Sequence, residues 1–187
     1  MSTKDKEQAT NAGIRRILCA TDLSGNCDHI YSYALDLAAE RNAGLMVIHV
    51  ISHRSIKAAK TLAYYLNESQ KDVVREKTTS ALHRMKTELS AFLEKEIKIH
   101  PHYPDLVEHL LVYPGQVADE IVEKANRFGC EAIVLGARGS GGLKRLFRRA
   151  TAKKIISQTP KPVFLVSLEH GKLAIAKYNP NGSAERD

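Results

Sequence analysis

The densest chemistry in the chain sits in Gly136-Ala137-Arg138-Gly139-Ser140-Gly141-Gly142. This stretch follows a short apolar run, Ala132 to Leu135, and opens a helical pattern in which Leu143, Leu146, Phe147 and Ala150 fall on one face. A strand, a glycine turn and a helix start in that order make a phosphate-binding arrangement. Glycines let the backbone come close to a ligand, and the N–H groups of a helix's first turn carry partial positive charge. The second group is Asp22, at the end of the apolar run Ile14 to Thr21. An acid at the carboxyl end of a parallel strand points into the crevice where open α/β sheets bind ligands.

Other reactive residues are less organised. Cys19, Cys27 and Cys130 show neither CxxC nor zinc-type spacing, which fits thiols in a reducing compartment. Cys27 falls near the start of a helix and is expected to be a small, partly buried thiol without a chemical role. His100-Pro101-His102 brings two imidazoles together with no third ligand beside them, so no metal site is expected. His49 reads as a packed or hydrogen-bonded histidine, not a base. Asp22 is the one acid placed to meet a metal. With no Walker lysine-serine pair, no second acid and no evident base for water, no catalytic residue is nominated.

These groups need a frame, and the apolar pattern supplies one. Strands are expected over Ile14 to Thr21, Leu45 to Ile51, Leu106 to Val112, Ala132 to Leu135 and Val163 to Leu168. Near-continuous apolar runs suit parallel strands covered on both faces. Between them lie amphipathic helices: one carrying Ile30, Ala34, Leu37, Ala38 and Arg41 with Ser24 or Asp28 as its cap and Gly44 past its end, and another carrying Ala118, Ile121, Val122 and Ala125 and ending at Gly129. The long connection from Ser52 to Pro104 holds a short helix, Ile56 to Leu66, and a longer one, Lys71 to Ile97, whose Leu82, Met85, Leu89, Phe92 and Leu93 form a core stripe. Tyr113-Pro114-Gly115 reads as a turn.

The order β-α-β-α-β-α-β-α-β implies an α/β fold: a five-stranded parallel open sheet, doubly wound with helices on both faces. The expected organisation is a disordered extension over 1–13, one α/β domain over 14–168 and a C-terminal tail over 169–187. The tail holds one short apolar patch, Leu173 to Ala176. Pro160 and Pro162 place Val163 to Leu168 at a sheet edge, where unpaired backbone groups invite pairing with a second copy, so a homodimer through this strand is expected, the alternative being that Leu173 to Ala176 folds back and covers the edge within one chain.

The chain has 187 residues, 43% of them hydrophobic, and a formal charge of +7. Its polar first residues lack a secretory pattern, and no apolar run is long enough for a membrane span, so a soluble cytoplasmic protein without membrane partners is expected. From Gly136 to Pro162 there are eight basic residues and no acid. Such a patch can hold a nucleotide's phosphates, contact nucleic acid or an acidic protein, or form the solvated face of a helix. Phe147 is its one aromatic and lies on the apolar face, which weighs against nucleic acid.

Together Ile17-Leu18-Cys19-Ala20-Thr21-Asp22-Leu23-Ser24, Ile48-His49-Val50-Ile51, Gly115-Gln116-Val117-Ala118-Asp119-Glu120-Ile121, Ala132 to Gly139 and Lys161 to Val166 resemble the universal stress proteins of the single-domain type. The resemblance spans about Ile14 to Leu168. It implies an adenine nucleotide alpha hydrolase-like fold, a role in stress response or regulation, dimers through the last strand, and ATP or another adenine nucleotide as ligand, with Mg2+ reaching Asp22 through the nucleotide. With the catalytic parts noted above missing, no enzyme, or at most weak ATP hydrolysis, is expected.

Carried over residue by residue, Ala20, Thr21 and Asp22 would lie along the ribose and triphosphate. Val50 would offer backbone groups to adenine, and Gly136, Arg138, Gly139 and Ser140 would cradle phosphate. The family's ATP-binding pattern closes with Gly-Ser/Thr nine residues after the second glycine, where this chain has Arg149-Ala150. Arg149 either contacts phosphate through its guanidinium or fills the space phosphate needs. In the latter case the chain is a nucleotide-free basic interaction module. Thr151 comes two positions beyond the closing glycine, about 200° around a helix, and is expected to face away.

Overall fold

The computed structural model describes residues 13–22, 27–52, 79–80, 83–84, 86–92, 94–95, 98, 103–136, 142–169, 172–179 and 184–186. Five strands run parallel: β1 (Arg16–Thr21), β2 (Gly44–Ser52), β3 (Val107–Gly115), β4 (Ala132–Gly136) and β5 (Val163–Glu169). The described helices are α1 (Cys27–Arg41), α2 (Tyr103–Leu106), α3 (Val117–Arg127) and α4 (Gly142–Gln158). Two further strands, β6 (Lys172–Tyr178) and β7 (Ala184–Arg186), add on antiparallel. The sheet order is β3-β2-β1-β4-β5-β6-β7.

The parallel five-stranded core therefore stands as expected, within a mixed seven-stranded sheet. The stretch 169–187 is not merely a tail, because it supplies both added strands. β5 is correspondingly not an edge: all seven of its residues pair with β6, from Val163↔Tyr178 to Glu169↔Lys172. A homodimer through an open Val163–Leu168 edge is corrected on that ground, since the backbone groups that would pair are already taken.

β3 continues through Tyr113, Pro114 and Gly115, opposite Val50, Ile51 and Ser52, where a turn was expected. It is an edge strand, and a proline whose nitrogen lacks a hydrogen costs no ladder bond on an open side.

Side chains alternate between two cores. Ile17, Cys19, Leu45, Val47, Val134 and Phe164 pack under α1, together with Leu89, Phe92 and Tyr103. Leu18, Met46, Ile48, Ile133 and Leu135 pack under α3 and α4 through Ala118, Ile121, Ala125, Ala152 and Ile155. Burial of Leu89 and Phe92 agrees with their place on the expected stripe. Ser24, the side chain of Cys27, residues 56–66, Leu82, Met85, Leu93, His100 and His102 lie outside the described residues. Cys19 and Cys130 are buried thiols, and desolvation pushes the Cys130 pKa up to about 11. No described helix is long and apolar enough to cross a membrane.

Helices α1 and α3 end alike. Asn42 takes φ 50°, its N–H bonds the Ala39 carbonyl at 3.2 Å, and the Ala43 N–H bonds that of Ala38 at 2.8 Å. Gly129 takes φ 65°, with matching bonds from Gly129 to Asn126 at 3.1 Å and from Cys130 to Ala125 at 2.8 Å. Both are left-handed stops that satisfy the last carbonyls. Asparagine tolerates that conformation, so Asn42 ends α1, and Gly44 already belongs to β2.

Leu18 is fully buried between Met46 of β2 and Ile133 of β4. Leu18→Ala should lower the unfolding free energy in urea by about 2–5 kcal/mol, the usual loss for a buried leucine that leaves a cavity.

Candidate functional site

From β1 the chain moves outward through β2 to β3, then returns to place β4 on the other side of β1 and β5 beyond it. Strand order thus reverses between β1 and β4. At that point the crossovers diverge and leave the carboxyl ends uncovered, which is where open sheets bind ligands. A cavity of about 280 Å³ opens there. Its floor comes from Ala20, Thr21 and Asp22 after β1, Ile48 and Val50 of β2, and Leu135 and Gly136 of β4. Its walls are Ile30 of α1, Val117 and Ile121 of α3, and Thr151, Ala152 and Ile155 of α4.

Of the residues nominated from sequence, the structure brings Ala20, Thr21, Asp22, Val50 and Gly136 together around this one cavity. Asp22 is exposed at the mouth, whereas Thr21 and Val50 are buried. His49 explains part of the placement. Its Nδ1 lies 3.0 Å from the Thr21 carbonyl oxygen, and because a carbonyl only accepts, Nδ1 carries the hydrogen and donates. The bond holds the end of β1 just where Asp22 leaves it. Gly136 is tight for a reason besides ligand access: a Cβ there would sit 2.5 Å from Cδ1 of Ile30, so α1 packs directly on the end of β4.

Arg138, Gly139 and Ser140 lie outside the described residues, as does the side chain of Arg149, whose backbone belongs to α4. The described part of α4 corrects two expectations. Ala150 is exposed and not on the buried face, and Thr151 lines the cavity instead of turning away. Ile155 is fully buried, and Thr151 stands one helical turn before it, so both project to the same side. Counting from the glycine motif set the wrong phase, and the spacing to Ile155 was the signal that could have set the right one. Val117, Ile121 and Ile30 were read from sequence as core or not singled out. Their apolar spacing is the same for core and for cavity wall, and only the strand order distinguishes the two.

Outside the cavity, α3 and α4 are tied together. Lys154 Nζ stands 2.8 Å from one carboxylate oxygen of Asp119 and 2.9 Å from the other, and Gln158 donates through Nε2 at 3.0 Å. One cation of the basic stretch is thereby engaged within the fold. The hydrogen bonds from Lys154 and then Gln158 hold the Asp119 carboxyl below its ordinary 3.8. A depressed carboxyl stabilises the fold above its unfolded pKa and loses that contribution as pH falls through the folded value. Lys154→Gln should therefore lower the melting temperature slightly at neutral pH, because an exposed pair contributes little. The difference from the unmodified protein should vanish once the solution is acidic enough to protonate Asp119 in both.

Comparison with known proteins follows the same outline. The family profile described as the universal stress protein family matches residues 13–167. Universal stress protein A homolog 1 of Coxiella burnetii is 29% identical over 132 residues, covering 71% of this chain and 82% of that protein. Universal stress protein MJ0577 of Methanocaldococcus jannaschii is 22% identical over 152 residues, covering 81% of this chain and 94% of its own. Among solved structures, MJ0577 superimposes with a TM-score of 0.60 at 19% identity, covering 84% of this chain and 98% of that one. UspA from Lactobacillus plantarum gives 0.60 at 17% identity, covering 82% and 98%. Those two likenesses speak for the fold, and the profile match across most of the chain speaks for the family: the protein belongs to the universal stress protein family.

Proposed function

We propose that this protein is a stress-response or regulatory protein that binds ATP or another adenine nucleotide at the carboxyl ends of β1 and β4 and acts through occupancy, not turnover. The observation that carries the reading is the cavity of about 280 Å³ at the reversal of strand order, with an acid at its mouth and apolar walls behind it. Ile48, Val50, Val117 and Ile121 offer surfaces for the faces of a purine, whose burial is favourable in proportion to the apolar area covered. Thr21, Asp22 and Thr151 are the polar side chains of the described lining. Asp22 suits ribose hydroxyls, or a Mg2+ ion carried in by the phosphates.

Gly136, Arg138, Gly139 and Ser140 form the phosphate side of the proposal, on their order of strand end, glycine turn and helix start. Arg149 joins them as a phosphate contact. A cytoplasmic setting belongs to the same reading, supported by the buried thiols Cys19 and Cys130. The nucleotide-free basic module is the weaker reading, because Lys154 already spends its charge on Asp119.

Calorimetric titration with ATP and with AMP tests the proposal, and neither compound releasing or absorbing heat of binding would sink it. Asp22→Asn should weaken binding by about 1.5–3 kcal/mol if its carboxylate accepts ligand hydrogen bonds, and Thr151→Val by about 0.5–1.5 kcal/mol for a neutral hydroxyl. Val117→Trp should block the cavity and abolish binding while far-ultraviolet circular dichroism stays unchanged.

A further inference from the structure

The rotation of α4 can be phased from the residues that reach the cavity. Thr151, Ala152 and Ile155 line it, whereas Ala150, Lys153 and Ser157 are exposed. Each step along a helix turns about 100°, so seven residues come back to within about 20° of the same side. Position 144 therefore shares the side of Thr151, and position 148 that of Ile155. Those positions are Lys144 and Arg148, on the two turns that lead from the cavity back to the glycine turn.

The direction of the helix decides what those two turns overlook. β4 and β5 are parallel, so α4 starts beside the carboxyl ends of the strands and runs back toward their amino ends. At about 1.5 Å per residue, position 148 lies about 4.5 Å and position 144 about 10.5 Å farther toward the mouth than Thr151. Asp22 is exposed on that side, and among the described lining residues it alone carries a charge, a negative one. A chain of phosphates leaving the cavity beside an acid needs cations, and the inward register of α4 brings two of them, one turn apart. We propose, resting on the nucleotide reading above, that Lys144 and Arg148 hold the phosphates of the ligand, Arg148 the one nearest the sugar and Lys144 those farther out, so that Lys144 sets the preference for a long phosphate chain.

The helix sorts its charge by side. Lys153 is exposed and Lys154 is taken by Asp119, so the cations near the far end of α4 serve the surface and the fold. Arg149, two positions before Thr151, starts about 200° around the helix, which makes its contact the more distant one. Residue types fit the two inward positions. Guanidinium binds phosphate oxygens in pairs and suits a fixed inner phosphate, whereas an ammonium on a flexible stem is a point charge suited to the outer, more mobile ones. Ala150 has neither a hydroxyl nor an inward place, so charge on the neighbouring turns takes over what the family pattern assigns to Gly-Ser/Thr.

Calorimetric titrations of the full chain with ATP, AMP and inorganic tripolyphosphate, at about 0.15 M salt to damp diffuse attraction, decide the matter. Arg148→Gln should weaken ATP and AMP alike by about ten- to hundredfold, the usual loss for charged hydrogen bonds. Lys144→Gln should weaken ATP by about tenfold and AMP by less than about twofold. Lys153→Gln removes the same charge from the exposed side and should change neither. Glutamine keeps the helix, so circular dichroism should be the same in all three variants. Tripolyphosphate has no base or sugar, and its binding should weaken by about tenfold or more when Lys144→Gln and Arg148→Gln are combined. ATP held equally well by the unmodified protein and by both inward variants overturns the proposal and leaves the nucleotide reading standing. So does a loss with Lys153→Gln as large as that with Lys144→Gln, since it marks a field spread over the whole helix. Tripolyphosphate held through the two cations as tightly as ATP sinks the nucleotide reading and keeps the cation assignment. If none of the three compounds binds, both fall.

Discussion

The double pairing of β1 is the constraint on which the rest depends. Its residues meet β2 on one side, Ile17 opposite Leu45, and β4 on the other, Ile17 opposite Ala132. Parallel neighbours require crossovers over the faces of the sheet, and those leaving β1 and β4 diverge. The amino end of this seam is shut. The N–H groups of Arg15 and Arg16 reach the Glu131 carboxylate at 2.7 and 2.9 Å, and the Arg16 side chain bonds Glu108 and the Phe128 carbonyl, each at 2.7 Å. At the carboxyl end the cavity opens beside Thr21, Asp22 and Gly136. Asp22 and Gly136 flank the opening because they are simply the residues that follow the two central strands.

What was legible in the sequence follows from the same physics. The five parallel strands could be read because burial on both faces demands apolar residues at almost every position, as in Leu45 to Ile51. The full extent of β3 could not, since Tyr113-Pro114-Gly115 has turn chemistry and only its edge position makes proline harmless there. β6 was legible only as an alternative, Leu173 to Ala176 folding back over the edge, because so brief a patch takes its strand character from the partner it finds and not from its own propensity. Asp22 and Gly136 were legible from their types at strand ends, whereas Ala20, Thr21 and Val50 were reached through the family resemblance. Wall residues on α3 and α4 were not, because an isoleucine facing a core and one facing a cavity obey the same periodicity.

Thr151 shows how a motif and a helix can disagree. Counting from Gly139 treats the chain as a ruler, whereas the helix orients side chains by its buried face, and Ile155 anchors that face. Thr151 lines the cavity because packing fixes the rotation of α4. Lys154, pointing away from the cavity toward Asp119, reinforces that rotation from outside.

The seam between β1 and β4 also bears on how the molecule comes together in time. Arg16 and Glu131, which bond across it, stand 115 positions apart. β1 can find β2 soon after both are synthesised, but it waits for most of the chain before β4 exists to pair with it. Contacts of such separation are slow to form because a long loop must first be ordered. The ligand crevice is made of that late contact, so it cannot exist in a half-assembled chain. Any small molecule that occupies it binds the finished fold alone and draws the population toward that fold by mass action. Occupancy and completion of folding are thus coupled in this protein by the position of one pair of strands.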